Sequence, residues 1–385
     1  MKKVLAIVLA AVVAMSMFAG CKPSNSSGSG AIKIGTSGPL TGDYAVYGVA
    51  VKNGLELAFE EINALGGLKF ELKAQDDEAD SEKAVNAYNA LMDWGMQIMA
   101  GPTTSGSAAA TAAECVNDKV FMLTPSASDA AVIAAGDNVF QICFSDPNQG
   151  IASADYIKNN NLATKVGVIY DSSSPYSTGI YEKFAAQAKK IGLNVVAEAV
   201  QAFTEDNKAD LSTQVTKCQA AGCDLVFLPI YTAEAARVLT YANRINYKPK
   251  FFGCDGLDGI LGVEGFDKSL AEGVLLLTPF DATATDEKTK SFVDKYTKKY
   301  GETPNQFAAD AYDVAYAIYE ACKAGGVTAD MSAEQICQIM VAQFTSANFS
   351  FNGLTGQGMT WGKDGAVSKL PMAVKIQNGV YVSAQ

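Results

Sequence analysis

MQIMAGPTTSGSAAATAAECVNDKVFMLTPSASD, residues 96–129, holds an apolar run, a glycine-hydroxyl loop, an alanine-rich helical stretch, a second apolar run and a second hydroxyl-rich loop. Strand, loop, helix and strand in this order form the repeating unit of a parallel sheet. Short apolar runs without alternation suit strands covered on both faces. The loop from Gly101 to Gly106 resembles a phosphate loop at first reading, because a helix N-terminus exposes free N–H groups and attracts an anion. A phosphate loop carries Lys and then Ser or Thr after its second glycine. Here Gly106 is followed by Ser107 and Ala108. Without that lysine nothing balances a triphosphate, which argues against nucleotide hydrolysis. Two readings remain: a capped helix start, or a site for a smaller anion such as a carboxylate, held by hydroxyls and backbone N–H groups.

Working outward, the same alternation covers most of the chain. Residues 31–36, 69–74, 139–144, 165–170, 194–200, 224–230, 250–254 and 273–278 are further apolar runs and read as strands. Between them lie amphipathic helices. Tyr47, Val51, Leu55, Ala58 and Ile62 share one face; Tyr181, Phe184, Ala185, Ala188 and Ile191 share another, with Gly192 placed to cap. After about residue 280 come three helical stretches (286–300, 304–324, 332–343) and short strands near 349–361 and 370–382. These are expected to complete lobes begun earlier. About 355 residues exceed what one core usually supports, so two domains follow. We expect 31–146 with 280–351 in an N-terminal lobe and 147–279 with 352–385 in a C-terminal lobe.

Residues 1–20 read as a signal peptide: Lys2 and Lys3 precede an apolar run too short for a comfortable bilayer span. Phe18-Ala19-Gly20-Cys21 resembles the bacterial lipobox, in which the cysteine is lipidated and becomes the mature N-terminus. Residues 22–30, KPSNSSGSG, form a flexible tether reaching at most about 30 Å. Removing 1–20 takes away two of the 30 basic residues and none of the 41 acidic ones, leaving 28 against 41, a net charge of −13. That argues against nucleic acid or anionic headgroups as partners. The seven cysteines beyond Cys21 show no metal-ligand spacing and read as mostly buried apolar residues. The acidic run 76–80, DDEAD, reads as a solvated turn and helix cap rather than a calcium loop. The chain has no histidine, which closes the commonest routes to a general base, a serine triad or His-ligated zinc. Neither a cofactor nor a metal is expected.

Ligands of open parallel sheets sit beyond the carboxyl ends of the strands. There the chain places Thr103, Thr104 and Ser105 at one helix start, and Ser126, Ala127 and Ser128 ahead of an apolar helical stretch, Ala130–Ala135. Two hydroxyl-capped helix starts with no basic residue suit one carboxylate. Tyr47 enters the first helix. The later strands offer Tyr176, Tyr231 and Asp255. Tyrosines can wall a side chain, and an aspartate can hold an ammonium, so together these groups suit an α-amino acid. The same residues have plainer readings as helix caps, interface aromatics and a turn aspartate.

The chain resembles the leucine/isoleucine/valine-type solute-binding proteins of ABC transporters over nearly all of residues 31–385. The resemblance rests on IGTSGPLTGDYAVYG (34–48), NALGG (63–67), GPTTSGS, TPSASD, FSDPNQG (144–150), YDSSSPYSTG (170–179), TPNQFAADAYD (303–313) and FNGLTGQGMTW (351–361). It implies an α/β, type I periplasmic-binding-protein fold: two doubly wound parallel-sheet lobes joined by three crossovers and closing on the ligand. By the same resemblance Ser105 and Ser128 bind the carboxylate, and the Ser126 carbonyl and Asp255 bind the amine. Thr103, Thr104, Tyr47, Tyr176, Tyr231 and Phe307 line the side-chain pocket, with Ala127 also at the ligand. Asp255 stands where glutamate is common in the family, and the two threonines make the wall more polar than an aliphatic pocket wants. The expected protein is a monomeric lipoprotein on the outer face of the cell membrane, delivering a branched-chain or other apolar or small amino acid to the transmembrane subunits of an ABC permease. The alternative is a ligand-sensing binding protein for another small carboxylate or amide. Catalysis is not expected.

Overall fold

The computed structural model describes residues 30–384. The expected signal peptide, Cys21 and the expected tether up to residue 29 lie outside the described residues. The first half of the chain runs β1 (Ile32–Gly38), α1 (Ala45–Ala64), β2 (Phe70–Asp76), α2 (Ser81–Trp94), β3 (Ile98–Met99), α3 (Ser105–Asn117), β4 (Phe121–Thr124), α4 (Ala130–Ile133) and β5 (Val139–Gln141). It continues with α5 (Asp146–Asn159), β6 (Val166–Asp171), α6 (Pro175–Ile191), β7 (Val195–Phe203), α7 (Ser212–Ala220), β8 (Leu225–Leu228), α8 (Thr232–Arg244), β9 (Lys250–Gly253) and β10 (Leu275–Thr278). It ends with α9 (Glu287–Tyr300), α10 (Gln306–Gly325), α11 (Ala333–Phe344), β11 (Met372–Gln377) and β12 (Val380–Ser383).

Two sheets result. The first has the order β2-β1-β3-β4-β5 and is parallel throughout. The second has the order β12-β11-β10-β9-β8-β6-β7, parallel from β7 to β10, with β11 and β12 added antiparallel at one edge. All ten apolar runs taken from the sequence become strands, because both faces of each sheet are covered and a continuous apolar run is what such a strand requires. The chain passes between the lobes after β5, after β10 and ahead of β11. This is the expected α/β, two-lobe architecture with three crossovers.

The lobe boundary near the C-terminus differs from expectation. The sequence pattern places residues 352–369 in the second lobe. Phe351, Met359, Trp361 and Val367 instead belong to the first lobe's core, and the Trp361 indole N–H donates to the Gln141 carbonyl at 2.8 Å. Only isolated bridges, Phe351 to Met359 and Trp361 to Val367, form where a strand was expected near 349–361. The second lobe gains β11 and β12 alone.

Local chemistry sets the helix ends. Ser174 accepts from the Ser177 N–H ahead of Pro175 at the start of α6, and Gly192 closes that helix with φ 66°, as its spacing predicts. Helices α1 and α10 pack side by side across the first sheet. They touch closely at Gly54, where a Cβ would stand 2.2 Å from the Ala308 carbonyl oxygen. The acidic run forms a turn and cap: Asp80 accepts from Lys83 N–H at the start of α2, and Asp77 is buried against the Ser37 hydroxyl. All seven described cysteines are buried and unbridged.

Candidate functional site

The first lobe's side of the cleft consists of the loops after β3 and β4, which are adjacent parallel strands. Their loops are laced together. Thr124 Oγ1 donates to the Pro102 carbonyl at 2.7 Å, and Ser126 Oγ donates to the Thr103 carbonyl at 2.6 Å. Ser105 Oγ accepts from the N–H groups of Ser128 and Asp129 at 3.2 and 3.3 Å, which leaves its own hydrogen free to donate. Ser128 Oγ is fully buried and has no partner among the described residues.

The expected pair of hydroxyl-capped helices does not form. Thr104 occupies the N-cap of α3, but its hydroxyl donates to Ser107 Oγ instead of capping a backbone N–H. The second helix, α4, is a single turn, Ala130–Ile133, shorter than the expected stretch, and its cap is the Asp129 carboxylate. Gly136 and the start of β5 follow too soon for a longer helix. The hydroxyls of Ser126 and Ser128 therefore stay out of helix capping.

The second lobe contributes Asp255 from a 3-10 turn after β9, Tyr176 from the first turn of α6, and Tyr231 from the N-cap of α8. Tyr176 Oη donates to Asp255 Oδ1 at 2.7 Å and accepts from the Gly256 N–H at 2.9 Å. The rings of Tyr176 and Tyr231 stack 4.8 Å apart at 6°. Tyr47, from the first lobe, packs against Tyr231 and Phe307 and reaches across the cleft. Its hydroxyl donates to the Gly256 carbonyl at 2.6 Å and accepts from the Thr232 N–H at 2.7 Å, so it ties α1 to the second lobe.

These residues surround one small cavity of about 10 Å³, lined by Tyr47, Thr103, Thr104, Ser126, Tyr176, Tyr231, Asp255, Gly256 and Phe307. Ser105, Ala127 and Ser128, also expected at the ligand, do not line it and are buried in the two loops behind it. The cavity has room for about one water, so a larger ligand enters only when the lobes part. A wider, open groove lies along the rim between the start of α1, α8 and the 259–268 loop, and holds none of the residues singled out from the sequence.

Acidic groups dominate the electrostatics. Burial pushes the Asp255 carboxyl up to about 7, against hydrogen bonds that favour its charged form. Burial likewise lifts Asp258 and Asp310 to about 6, although the Lys369 ammonium, 2.5 Å from Asp310, opposes the latter. No cluster of three or more candidate ligands among the described residues is arranged to hold a metal ion.

Several site residues were not singled out in the sequence. A Cβ at Gly256 would stand 2.5 Å from Tyr176 Oη, so glycine is needed where backbone meets ring. Gln149 Oε1 accepts from the Asp255 N–H, and Gln306 Nε2 donates to the Asp255 carbonyl. Asp146, at the start of α5, is buried beside them. For Asp146, Gln149 and Gln306 the only trace is membership in the FSDPNQG and TPNQF motifs.

Comparison with known proteins agrees with this geometry. The periplasmic binding protein family profile matches residues 31–379. A Leu/Ile/Val-binding protein homologue from Brucella melitensis is 32% identical over 301 residues, covering 76% of this chain and 78% of that one. Among solved structures, a leucine-binding protein from Thermotoga maritima is 26% identical with a TM-score of 0.81, covering 92% of this chain and 98% of its own. A branched-chain amino acid transporter substrate-binding protein from Streptococcus pneumoniae, solved in complex with isoleucine, is also 26% identical with a TM-score of 0.81, covering 92% and 100%. The chain belongs to the periplasmic binding protein family.

Proposed function

We propose that this periplasmic binding protein captures an α-amino acid with a branched-chain or other small apolar side chain and delivers it to the transmembrane subunits of an ABC permease. The observation that carries the reading is the opposition of the two walls. The hydroxyl residues Thr103, Thr104 and Ser126, with no basic residue among the lining, face a buried carboxyl, Asp255, across a small aromatic cavity. The first wall suits a carboxylate and the second an ammonium, with Ser105 and Ser128 in the loops just behind the former and the Ser126 carbonyl completing the latter. Tyr47, Tyr176, Tyr231, Phe307, Thr103 and Thr104 would surround the side chain. The names of the relatives point the same way. On this reading the ligand leaves as it entered.

A thermal-shift screen of the twenty amino acids, with native mass spectrometry of the best ligand, tests this. Stabilisation by branched-chain or small apolar amino acids, and recovery of the ligand unchanged, is the expected result. Stabilisation only by amine-free carboxylates or amides would overturn it in favour of another small ligand.

The N-terminus supplies the setting. No described helix is long and apolar enough to cross a membrane. We infer that Cys21 carries the lipid, that the monomer is tethered to the outer face of the cell membrane, and that the tether keeps the lobes near the permease. Cys21→Ser should abolish labelled-palmitate incorporation and release the protein; unchanged incorporation would refute the anchor.

A further inference from the structure

Asp146 stands where the chain first crosses between lobes, and it is the least satisfied acid in the cleft. It is 1% exposed, and neither carboxylate oxygen has a hydrogen-bond partner among the described residues. On one side it lies against α6, where a Cβ at Gly179 would come 3.2 Å from Oδ2. On the other its backbone N–H donates to the Ser128 carbonyl at 2.9 Å. The Ser128 hydroxyl is the polar side chain in reach of its carboxyl, although the two stop short of full hydrogen-bond geometry. Two buried side chains without partners thus face one another beside the carboxylate wall.

We propose that Asp146 is a positioning residue: its carboxyl group, carrying a proton, donates to the Ser128 hydroxyl and turns that hydroxyl's own hydrogen toward the ligand's carboxylate. This rests on the reading of Ser128 as a carboxylate ligand given above. The alternative arrangement defeats itself. An ionised Asp146 would take the Ser128 hydrogen, present that oxygen's lone pairs to the ligand, and set two carboxylates one hydroxyl apart.

The surroundings favour the proton. Burial is the largest influence and pushes the carboxyl well above the usual range. The Ser128 hydroxyl, which favours the charged form, pulls the other way but is outweighed, and the neighbouring Asp255 and Asp129 push with burial. Tyr176 and Tyr231, from α6 and α8, also face it. Neither lysine nor arginine is among the groups acting on it. The positive end of α5 opposes these effects, but a helix-end dipole is small beside full burial. Opening the lobes parts Ser128 from α5 and lets water reach the carboxyl, returning it toward ordinary acidity. A group raised in the closed state favours closure at low pH, and that advantage is lost as pH rises through its closed-state value. In between, ligand capture takes up a proton.

Calorimetry on the full chain, in buffers of different ionisation enthalpy, reads that proton directly. The probes are L-isoleucine and 3-methylpentanoate, its amine-free counterpart. At neutral pH the wild type should take up more protons than Asp146→Asn, by close to one. The Asn amide still donates to Ser128, so its affinity should stay within about threefold of wild type at acid pH and lose its pH dependence. Asp146→Ala removes the donor and should bind about tenfold more weakly. Equal proton uptake by wild type and Asp146→Asn, or an Asn variant as weak as the Ala variant, would overturn the proposal. If only 3-methylpentanoate binds, with the proton, the amino-acid reading falls and the role of Asp146 stands. If neither carboxylate binds, both fall.

Discussion

On the first lobe, Thr103, Ser105, Ser126 and Ser128 occupy two loops that follow neighbouring strands and bond to each other within a span of 26 residues. On the second, Asp255 meets Tyr176 from 79 residues away, Gln149 from 106 and Gln306 from 51, the last reaching over from the first lobe. The first wall is neutral and tied up locally, so it keeps its shape whether the cleft is open or shut. The second is acidic and completed by closure. Burial of Asp255 raises its carboxyl to about 7, so closing an empty cleft on its charged form is unfavourable. An ammonium that enters with the ligand removes that penalty. On the proposed function, the first wall would serve recognition and the second would couple recognition to closure.

The largest expected effect breaks the second wall. Removing one partner of a buried charge pair costs about 2–5 kcal/mol, so Asp255→Asn should weaken amino-acid binding roughly thirtyfold to a few thousandfold. Asp255→Glu keeps the charge and should lose less, although its extra methylene must displace Tyr176, whose hydroxyl lies 2.7 Å from Oδ1. Calorimetry with the ligand found by screening measures both. An Asp255→Asn variant that binds as tightly as wild type would mean that the second wall does not read the amine.

A smaller effect separates two serines that the sequence treats alike. Ser128→Ala should cost only the bond to a charged ligand, about 1.5–3 kcal/mol, or roughly tenfold to a hundredfold in affinity, with the melting temperature of the empty protein unchanged. Ser105→Ala also frees the Ser128 and Asp129 N–H groups. It should therefore lower both affinity and the empty protein's stability, the latter by about 1 kcal/mol. Equal melting temperatures for the two variants would show that the lacing does not stiffen the loops.

The contrast between the walls also explains what could be read in the sequence. Strands such as Phe121–Thr124 and Leu225–Leu228 announce themselves because burial on both faces demands continuous apolar runs. The hydroxyl loops were legible because each follows such a strand directly. Gln149 and Gln306 were not: a glutamine that bonds a backbone 51 or 106 residues away leaves no local periodicity. Asp146 looked like any acid at a helix start. Trp361 misled the lobe boundary for the same reason, since its partner, the Gln141 carbonyl, is 220 residues distant. The single turn α4 fell short of its apolar pattern because alanines at 130, 131, 134 and 135 favour a helix that the nearby start of β5 cuts off.

The smallest effect belongs to the rim, where the lobes meet outside both walls. Arg237 on α8 donates to Asp43, ahead of α1, at 2.8 Å, and to Glu234 at 3.2 Å. Tyr44 donates to Glu234 at 2.9 Å and accepts from the Lys208 ammonium at 3.0 Å. The contacts of Asp43 and Tyr44 with α8 and Lys208 join the lobes only when the cleft is shut, so whatever they contribute must appear as ligand affinity. Their exposure limits it: the Asp43 side chain is 50% exposed and that of Arg237 32%. Pairs of this kind contribute little, and salt at about 1 M shortens the screening length to about 3 Å. Asp43→Asn should therefore weaken binding by less than about threefold at low ionic strength and by nothing measurable in high salt. The buried Asp255 contact should keep most of its worth in the same salt, because water and ions are excluded from it. Titrations of wild type, Asp43→Asn and Asp255→Asn at low and high salt would separate the two. If Asp43→Asn costs tenfold, or its loss persists in high salt, closure is held at the rim, and the second wall's part in it is smaller than its buried charge implies.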